Sequence, residues 1–543
     1  MSNSIHKYVA YSLIFILSSC QHSCQPKKIE HPKKLEPLPQ DPFIQVYFNH
    51  SETSEYQEAY RDKKRLGDDL EKQIVDTVKS AKSSVDIAVQ ELRLPGVAQA
   101  IVSQHQAGVK VRLIIENTYN RPWSSLSPQE VKKLQPRERQ KYKEYRSFVD
   151  LNQDGKLDTS EINQRDALVI LDNVITRLDD TSDGSRGSGL MHHKFIVVDN
   201  RFVIVTSANF TLSDVHGDYS KPETLGNANN LVKIDSPEIA AVFTEEFNLM
   251  WGTGTKTKGN QKFGLKKPVR APKKIKLGDS TVTINFSPIS PTQPWINSSN
   301  GLISTILLAA TQSVDMALFV FSEQRLANIL EERHQQNVKI RALLEKSFAY
   351  RSYSEGLDMM GFALSDKCKY EIDNKPWRHP LTTVAIPSLQ QGDLLHHKFG
   401  VIDNQTVITG SHNWSAAANS GNDETLLIIE NPIIAAHYTR EFERLYKKSQ
   451  PGLPEKIQQK IKSQQKECSK IDSPSTIENK SVQINLNTAT LSELEALPGI
   501  GKKTAQQIII TRQQKPFTSL KDLKQVKGLS YSKLQKLQGY VSF

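Results

Sequence analysis

Two short stretches of this 543-residue chain carry the same proton-active side chains at the same spacing. Residues 191–200 read MHHKFIVVDN and residues 395–404 read LHHKFGVIDN. Phe195–Val198 reads as a buried strand. Side chains alternate faces along a strand, so His192 and Lys194 look into one space while His193 points away. An imidazole can accept, donate or attack near neutral pH, and an ammonium two residues further on can hold an anionic oxygen. A single such cluster is more often a satisfied core histidine than a catalyst. The second copy argues for chemistry: His396 and Lys398 precede Asp403 by the interval that separates His192 and Lys194 from Asp199. In each copy six residues then lead to a small polar turn, TSAN (Thr206–Asn209) in the first and GSHN (Gly410–Asn413) in the second.

The pattern H-x-K-x4-D-x6-G-S-x-N resembles the signature of the phospholipase D superfamily, whose members carry two such halves in one active site. Thr206 departs from it by standing where glycine is usual, which should tighten the turn. The resemblance implies that one motif histidine attacks phosphorus to form a phosphohistidine. The other protonates the leaving oxygen and then activates water. Lys194, Lys398, Asn209 and Asn413 would hold the non-bridging oxygens, with no metal or other cofactor required for catalysis. Asp199, Asp403 and Ser411 complete the motif positions of the candidate catalytic set. Downstream, GNDETLLII places Glu424 where the family commonly has a carboxylate that accepts a hydrogen bond from a motif histidine. The matching stretch GNANNLVKI has Asn229. A carboxylate favours imidazolium and an amide does not, so pairing within each half would make His192 the nucleophile and His396 the acid.

The elements that must position these residues repeat as well. SSVDIAV (83–89) echoes QSVDMAL (312–318), and GVKVRLIIE (108–116) echoes NVKIRALLE (337–345), both at an offset of 229, whereas the histidine motifs lie 204 apart. The first half therefore holds 25 extra residues between Glu116 and His192. Strands alternate with amphipathic helices, such as DDLEKQIVDTVKSA with Leu70, Ile74, Val75 and Val78 on one face. The expected fold is α/β: two pseudo-symmetric phospholipase D-like halves sharing one active site, followed by a small all-α domain.

Inside the surplus, DLNQDGKLDTSE (150–161) fits a twelve-residue calcium loop. Asp150, Asn152, Asp154, the carbonyl of Lys156, Asp158 and Glu161 supply oxygen ligands, and Gly155 makes the sharp turn. SPQEVKKLQPRERQKYKEYRSFV reads as one helix before it. A single loop of this kind points to a structural calcium ion rather than a catalytic one.

The net charge of +11 is unevenly placed. Residues 253–278 hold nine Lys or Arg and no acid, and residues 481–543 hold nine against three acids. Basic segments favour nucleic acid or anionic lipid without choosing between them. At the N-terminus a short apolar stretch ends in LSSC, which resembles a bacterial lipobox and implies removal of the leader and lipidation of Cys20. Cys368 and Cys468 could pair in an oxidising compartment. The expected organisation is a leader (1–20), a tether (21–43), a first half (44–252, with an insertion at about 126–165) and a basic linker (253–278). A second half (279–448), a linker (449–483) and a last domain (484–543) follow.

In that last domain LPGIGKKTA joins two amphipathic helices by a Gly-rich hairpin. Backbone N–H groups at a helix start can hold a phosphate oxygen without reading a base. The segment resembles the helix-hairpin-helix module of bacterial competence DNA receptors, which implicates Gly499, Gly501, Lys502 and Lys503 in DNA binding. A second hairpin, VKGLSYS, has Ser530 in place of its second glycine. The sequence thus predicts an exported, membrane-tethered phosphodiesterase that cuts DNA and needs no obligate protein partner. A phospholipase acting on glycerophospholipids is the alternative substrate reading, and an inactive DNA-capturing receptor a third.

Overall fold

The computed structural model describes residues 34–468 apart from 173, 185–186, 188, 255–259 and 372. Of the C-terminal part it describes residues 484–489, 494, 497, 500–519, 522–526, 529 and 541–542. The leader with Cys20, the hairpin residue Gly499 and Ser530 lie outside the described residues.

The first half is a seven-stranded mixed sheet of β1 (Ile44–Phe48), β2 (Ser84–Val89), β3 (Lys110–Ile115), β4 (Arg177–Leu178), β5 (Lys194–Val198), β6 (Phe202–Thr206) and β7 (Asn230–Asp235). Its spatial order is β1-β7-β6-β5-β2-β3-β4. The second half repeats it with β9 (Ser280–Ser287), β10 (Ser313–Leu318), β11 (Lys339–Leu344), β12 (Val384–Pro387), β13 (Lys398–Ile402), β14 (Thr406–Gly410) and β15 (Glu424–Glu430). Two edge strands, β8 (Lys273–Leu277) and β16 (Ser449–Pro451), extend that sheet to nine. In both sheets the β2–β3–β4 or β10–β11–β12 pairs are parallel and the motif strands antiparallel. Equivalent bidentate pairs, Arg112–Asp86 and Arg341–Asp315, stand at the same offset of 229 that the sequence repeat shows.

Both faces of each sheet are covered, which is why β5 and β13 carry no polar residue after their leading lysines instead of alternating. One face packs on the half's own helices, as Val85, Ile87 and Ile196 do on Leu70, Ile74 and Val78. The opposite faces of the two sheets meet in one core that takes in Phe195, Phe243 and Phe247 together with Phe399, Tyr438 and Phe442. The two halves therefore share their largest apolar cluster, and backbone bridges Met191↔Asp423 and Ala228↔Leu395 stitch them together at the motifs.

The surplus residues lie between β3 and β4, but the segment before the calcium-type loop is two helices, Pro128–Lys133 and Pro136–Val149. Pro136 cannot donate a backbone hydrogen bond and disfavours helix at the residue before it, so one helix ends and another starts. On the helix Leu70–Lys79, Val75 is only half-buried, and Glu71 and Thr77 take the buried positions instead. Glu71 accepts a hydrogen bond from Tyr60 and pairs with His216, which offsets the cost of burying it.

The linkers are more structured than their composition implied. Residues 273–277 form β8, and Lys267 is buried between Glu246 and Asp423. Residues 449–451 form β16, and the helix Glu455–Glu467 places Ile461 in the second half's core. Cys468, at its end, is disulfide-bonded to Cys368 with 5.5 Å between the Cα atoms. The C-terminal residues have a core of their own, including Leu486, Leu497, Ile508, Phe517 and Val541, and the two-residue strands Ile484–Asn485 and Val541–Ser542 pair in parallel.

Candidate active site

Each motif histidine sits immediately before a buried strand, and its ring is held by a residue of the other half. His192 Nδ1 donates to Glu424 Oε2 at 2.7 Å, and His396 Nδ1 donates to Asn229 Oδ1 at 3.0 Å. Pairing within each half, expected from the sequence, is corrected. The cause is backbone geometry: His192 N donates to Asp423 O and His396 N to Ala228 O, so each histidine lies beside the segment entering the other half's last motif strand.

These hydrogen bonds fix both tautomers. Glu424 is fully buried; burial pushes its carboxyl up, but His192, Lys194 and His412 hold it down to about 2. An ionised carboxylate only accepts, so His192 carries its proton on Nδ1. Asn229 directs its amide N–H groups to the carbonyls of Asp214 (2.9 Å) and Asn227 (3.1 Å), which leaves its oxygen for His396. Ser411 Oγ donates to Glu424 Oε2 and Ser207 Oγ to Asn229 Oδ1, each at 2.7 Å, so the serines anchor the partners rather than the phosphate. Both Nε2 atoms are left for chemistry. Burial lowers His192 to about 4 against the upward pull of Glu424. Burial and the two lysines lower His396 well below its ordinary value.

Lys194 and Lys398 share the histidines' strand face, as predicted. Lys194 Nζ donates to His192 O (2.8 Å) and Gln90 Oε1 (3.2 Å), and Lys398 Nζ donates to His396 O (2.6 Å). Burial lowers Lys194 to about 8 and Lys398 well below the usual range. Among the described residues no carboxylate lies within ion-pair distance of either lysine, so neither is committed to an ion pair and an anionic guest would favour the charged form of both. Asn209 and Asn413 each bury a side-chain oxygen that lacks a hydrogen-bond partner among the described residues. His193 points away, accepting from Thr425 Oγ1 and donating to Glu246, and His397 does the same with Asn230 and Glu441.

Asp199 and Asp403 are corrected from the catalytic set. Each begins a two-residue turn with both residues at positive φ, Asp199-Asn200 at 53° and 50° and Asp403-Asn404 at 53° and 52°. Such turns favour Asp and Asn. The Asp199 carboxylate accepts from the backbone N–H groups of Lys82, Ser83 and Ser84, and Asp403 from those of Thr311, Gln312 and Ser313. They pin the strands' far ends, roughly 17 Å along β5 or β13 from the lysines. At the last residues of β6 and β14 the halves differ: Gly410 has φ +130°, and a Cβ there would lie 2.2 Å from Thr425 O. Thr206 follows another course, donating its hydroxyl to Asn230 O.

Sequence reasoning missed Ser207, although the repeat register with Ser411 marks it. It also missed Gln90 and Asp214, which belong to no repeated motif. Asp214 Oδ1 lies 3.4 Å from His396 Nδ1.

The family model described as "Cardiolipin synthase, PLD-like domain" matches residues 74–251 and 303–446, more than half of the chain and both motif copies. The chain belongs to the phospholipase D-like family. A helix-hairpin-helix motif model matches residues 479–542. Among curated relatives of this phospholipase D-like protein, the mitochondrial cardiolipin hydrolase of Xenopus laevis is 30% identical over 161 residues, 29% of this chain and 66% of that protein. A phospholipase D of Rickettsia conorii is 27% identical over 133 residues, 24% of this chain and 56% of its own length. The chain thus spans between about half and two thirds of the length of these relatives. Of solved structures, the phosphatidylserine synthase of Haemophilus influenzae is 12% identical, with TM-score 0.47 over 80% of this chain and 95% of that one. Nuc of Salmonella typhimurium is 18% identical, with TM-score 0.25 over 32% of this chain and all of that one.

Two expected sites lie apart from the histidines. In the calcium-type loop Gly155 has φ +79° with open space around it, and Asp150 accepts from the N–H groups of Asp154 and Gly155. Glu161 is buried and accepts from the N–H groups of Leu151 and Asn152. Among the described residues no three His, Cys, Asp or Glu side chains converge closely enough to hold a metal ion. The loop's donor types and turn suit calcium, but its carboxylates are turned onto backbone N–H groups. In the C-terminal part, Gly501 caps the helix Lys502–Gln514 and Lys503 is exposed.

Proposed function

We propose that the protein is a phosphodiesterase that hydrolyses DNA through a phosphohistidine. The crossed histidine pairs carry the chemistry: two tautomer-fixed imidazoles, with two buried ammonium groups on the same strand faces, suit in-line displacement at an anionic phosphorus. His192 Nε2 forms the P–N bond as the P–O ester bond breaks, and His396, which takes up a proton on Nε2 to become imidazolium when the phosphodiester anion binds, gives that proton to the departing oxygen. Water then attacks phosphorus, its proton passes to His396 Nε2, and the P–N bond breaks.

The roles follow from where positive charge grows. Attack through Nε2 makes the ring cationic, whereas proton donation removes a cation. Glu424 beside His192 therefore stabilises the transition state more than the ground state if His192 attacks, and the reverse if it is the acid. Asn229 stabilises imidazolium less, which leaves His396 the readier proton donor. With the pairs crossed, resting charge alone would exchange the two roles. Charge in the transition state decides between them, because only differential stabilisation lowers the barrier.

The helix-hairpin-helix match and the basic C-terminal segment support DNA as substrate. The cardiolipin hydrolase and phospholipase D relatives favour a lipid as the second reading. Truncation after about Lys480 should raise the KM for long duplex DNA and flatten its salt dependence, because a protein that neutralises fewer phosphates displaces fewer counterions on binding. Turnover of a small chromogenic phosphodiester should not change. A lipid enzyme would instead hydrolyse phospholipid vesicles equally in both forms and cut no DNA in either.

Calcium at residues 150–161 is proposed as structural. Millimolar calcium should raise Tm, with about 2.7 kcal/mol of stabilisation at a hundredfold excess over Kd, and Glu161→Gln should abolish the rise. A melting curve indifferent to calcium removes the ion from the account. Export and lipidation at Cys20 are likewise proposed, and the Cys368–Cys468 disulfide supports an oxidising compartment. Among the described residues no helix is long and apolar enough to cross a membrane.

A further inference from the structure

Next to the catalytic floor the first-half insertion builds a surface for which the chemistry so far gives no use. Lys194 donates to Gln90 (3.2 Å), and the following residue, Glu91, reaches Lys141 on the insertion helix Pro136–Val149 at 3.5 Å. The insertion therefore borders the site. Three of its rings form a half-buried cluster: Trp123 and Tyr145 with centroids 5.5 Å apart, Trp123 and Tyr142 at 6.2 Å, and Tyr142 and Tyr145 at 6.0 Å. The Arg93 guanidinium lies 5.1 Å from the Trp123 ring, and Lys141 Nζ lies 5.8 Å from the Tyr119 ring.

Charge follows the same segment. Residues 121–149 hold eight Lys or Arg and three acids, a net of +5. Arg137 lies one helical turn before Lys141 on the same face. The helix is about 21 Å long, enough for roughly six nucleotides at ~3.4 Å each. Rings interleaved with cations suit unpaired nucleotides, because every base offers a face to stack on and every linkage a charge.

Resting on the nucleic-acid reading above, we propose that this insertion is a docking track for single-stranded DNA, which leads the strand from its aromatic cluster to the two histidines. An anionic bilayer is the competing occupant. It would be met by several protruding apolar side chains, yet across residues 121–165 Leu151 alone is an exposed large hydrophobic residue.

The test uses the full-length protein with a fluorescent thymidine 20-mer, a small chromogenic phosphodiester, and vesicles of phosphatidylcholine with phosphatidylglycerol. The exposed-charge variant Lys133→Glu/Arg137→Glu should raise the KM for the 20-mer at least tenfold. It should also reduce the slope of log affinity against log salt by about 1.4. Tyr142→Leu should weaken 20-mer binding roughly five- to hundredfold at an unchanged salt slope, the signature of lost stacking. Both variants should turn over the small diester as the parent does. Unchanged 20-mer affinity in the charge variant overturns the track, because those side chains are exposed and their replacement leaves the fold intact. Loss of vesicle binding with the 20-mer unaffected overturns it in favour of a lipid surface. A parent protein that cuts no nucleic acid at all overturns the nuclease reading itself, which is a distinguishable failure.

Discussion

His192→Asn and His396→Asn each lower turnover of every phosphodiester by roughly 10⁴-fold or more, because nucleophile and acid act as one unit and the double variant is little worse than either single one. His193→Asn, one residue away, keeps the chemical step and instead costs about 1–3 kcal/mol of stability, since it strips buried Thr425 and Glu246 of a partner. Equal loss of turnover in the His192 and His193 variants would refute the assignment of the two rings to opposite strand faces. Acid quenching during turnover of a phosphorus-labelled substrate should trap label on His192. Label on His396 would reverse the roles and with them the part given to Glu424.

Replacing either buried lysine is expected to do nearly as much damage. Lys194→Met and Lys398→Met each lower kcat by roughly 10²–10³-fold, the range found when one donor to a developing anion is removed. The pH dependence gives a sharper signature. Burial holds Lys194 down to about 8, so the free enzyme keeps this charge below that pH and loses it as pH rises. The profile of kcat/KM should therefore fall on its alkaline side near pH 8. The profile of kcat should fall later, because a bound phosphodiester anion favours the ammonium. Lys194→Arg should remove that alkaline fall, since guanidinium does not deprotonate in this range, whatever it does to the rate. An alkaline limb that stays in place in Lys194→Arg would assign it to another group.

The repeated fold was legible because both halves obey one pattern of buried strands, and the 229-residue echo survives in the structure as strand pairs with matching Arg–Asp ion pairs. The motif histidines, the lysines and Ser411 were legible for the same reason. Partner exchange was not, because sequence order places Glu424 and His396 in one half and only the packing of the two sheets carries Glu424 to His192. The motif aspartates misled for the opposite reason: their spacing is as regular as the histidines', but a tight turn demands that regularity. Lys267 and Ile461 were misread because a stretch that is basic or polar on average can still bury a single residue.

The exchange of partners has a consequence for how such an enzyme can diversify. Two separate, identical subunits must offer each other identical partners, so any change opposite one imidazole is copied opposite the other. Joining the halves in one gene breaks that tie. Here one imidazole hydrogen-bonds a carboxylate and the other an amide, a division of labour available only to a chain whose two halves have stopped being copies of each other.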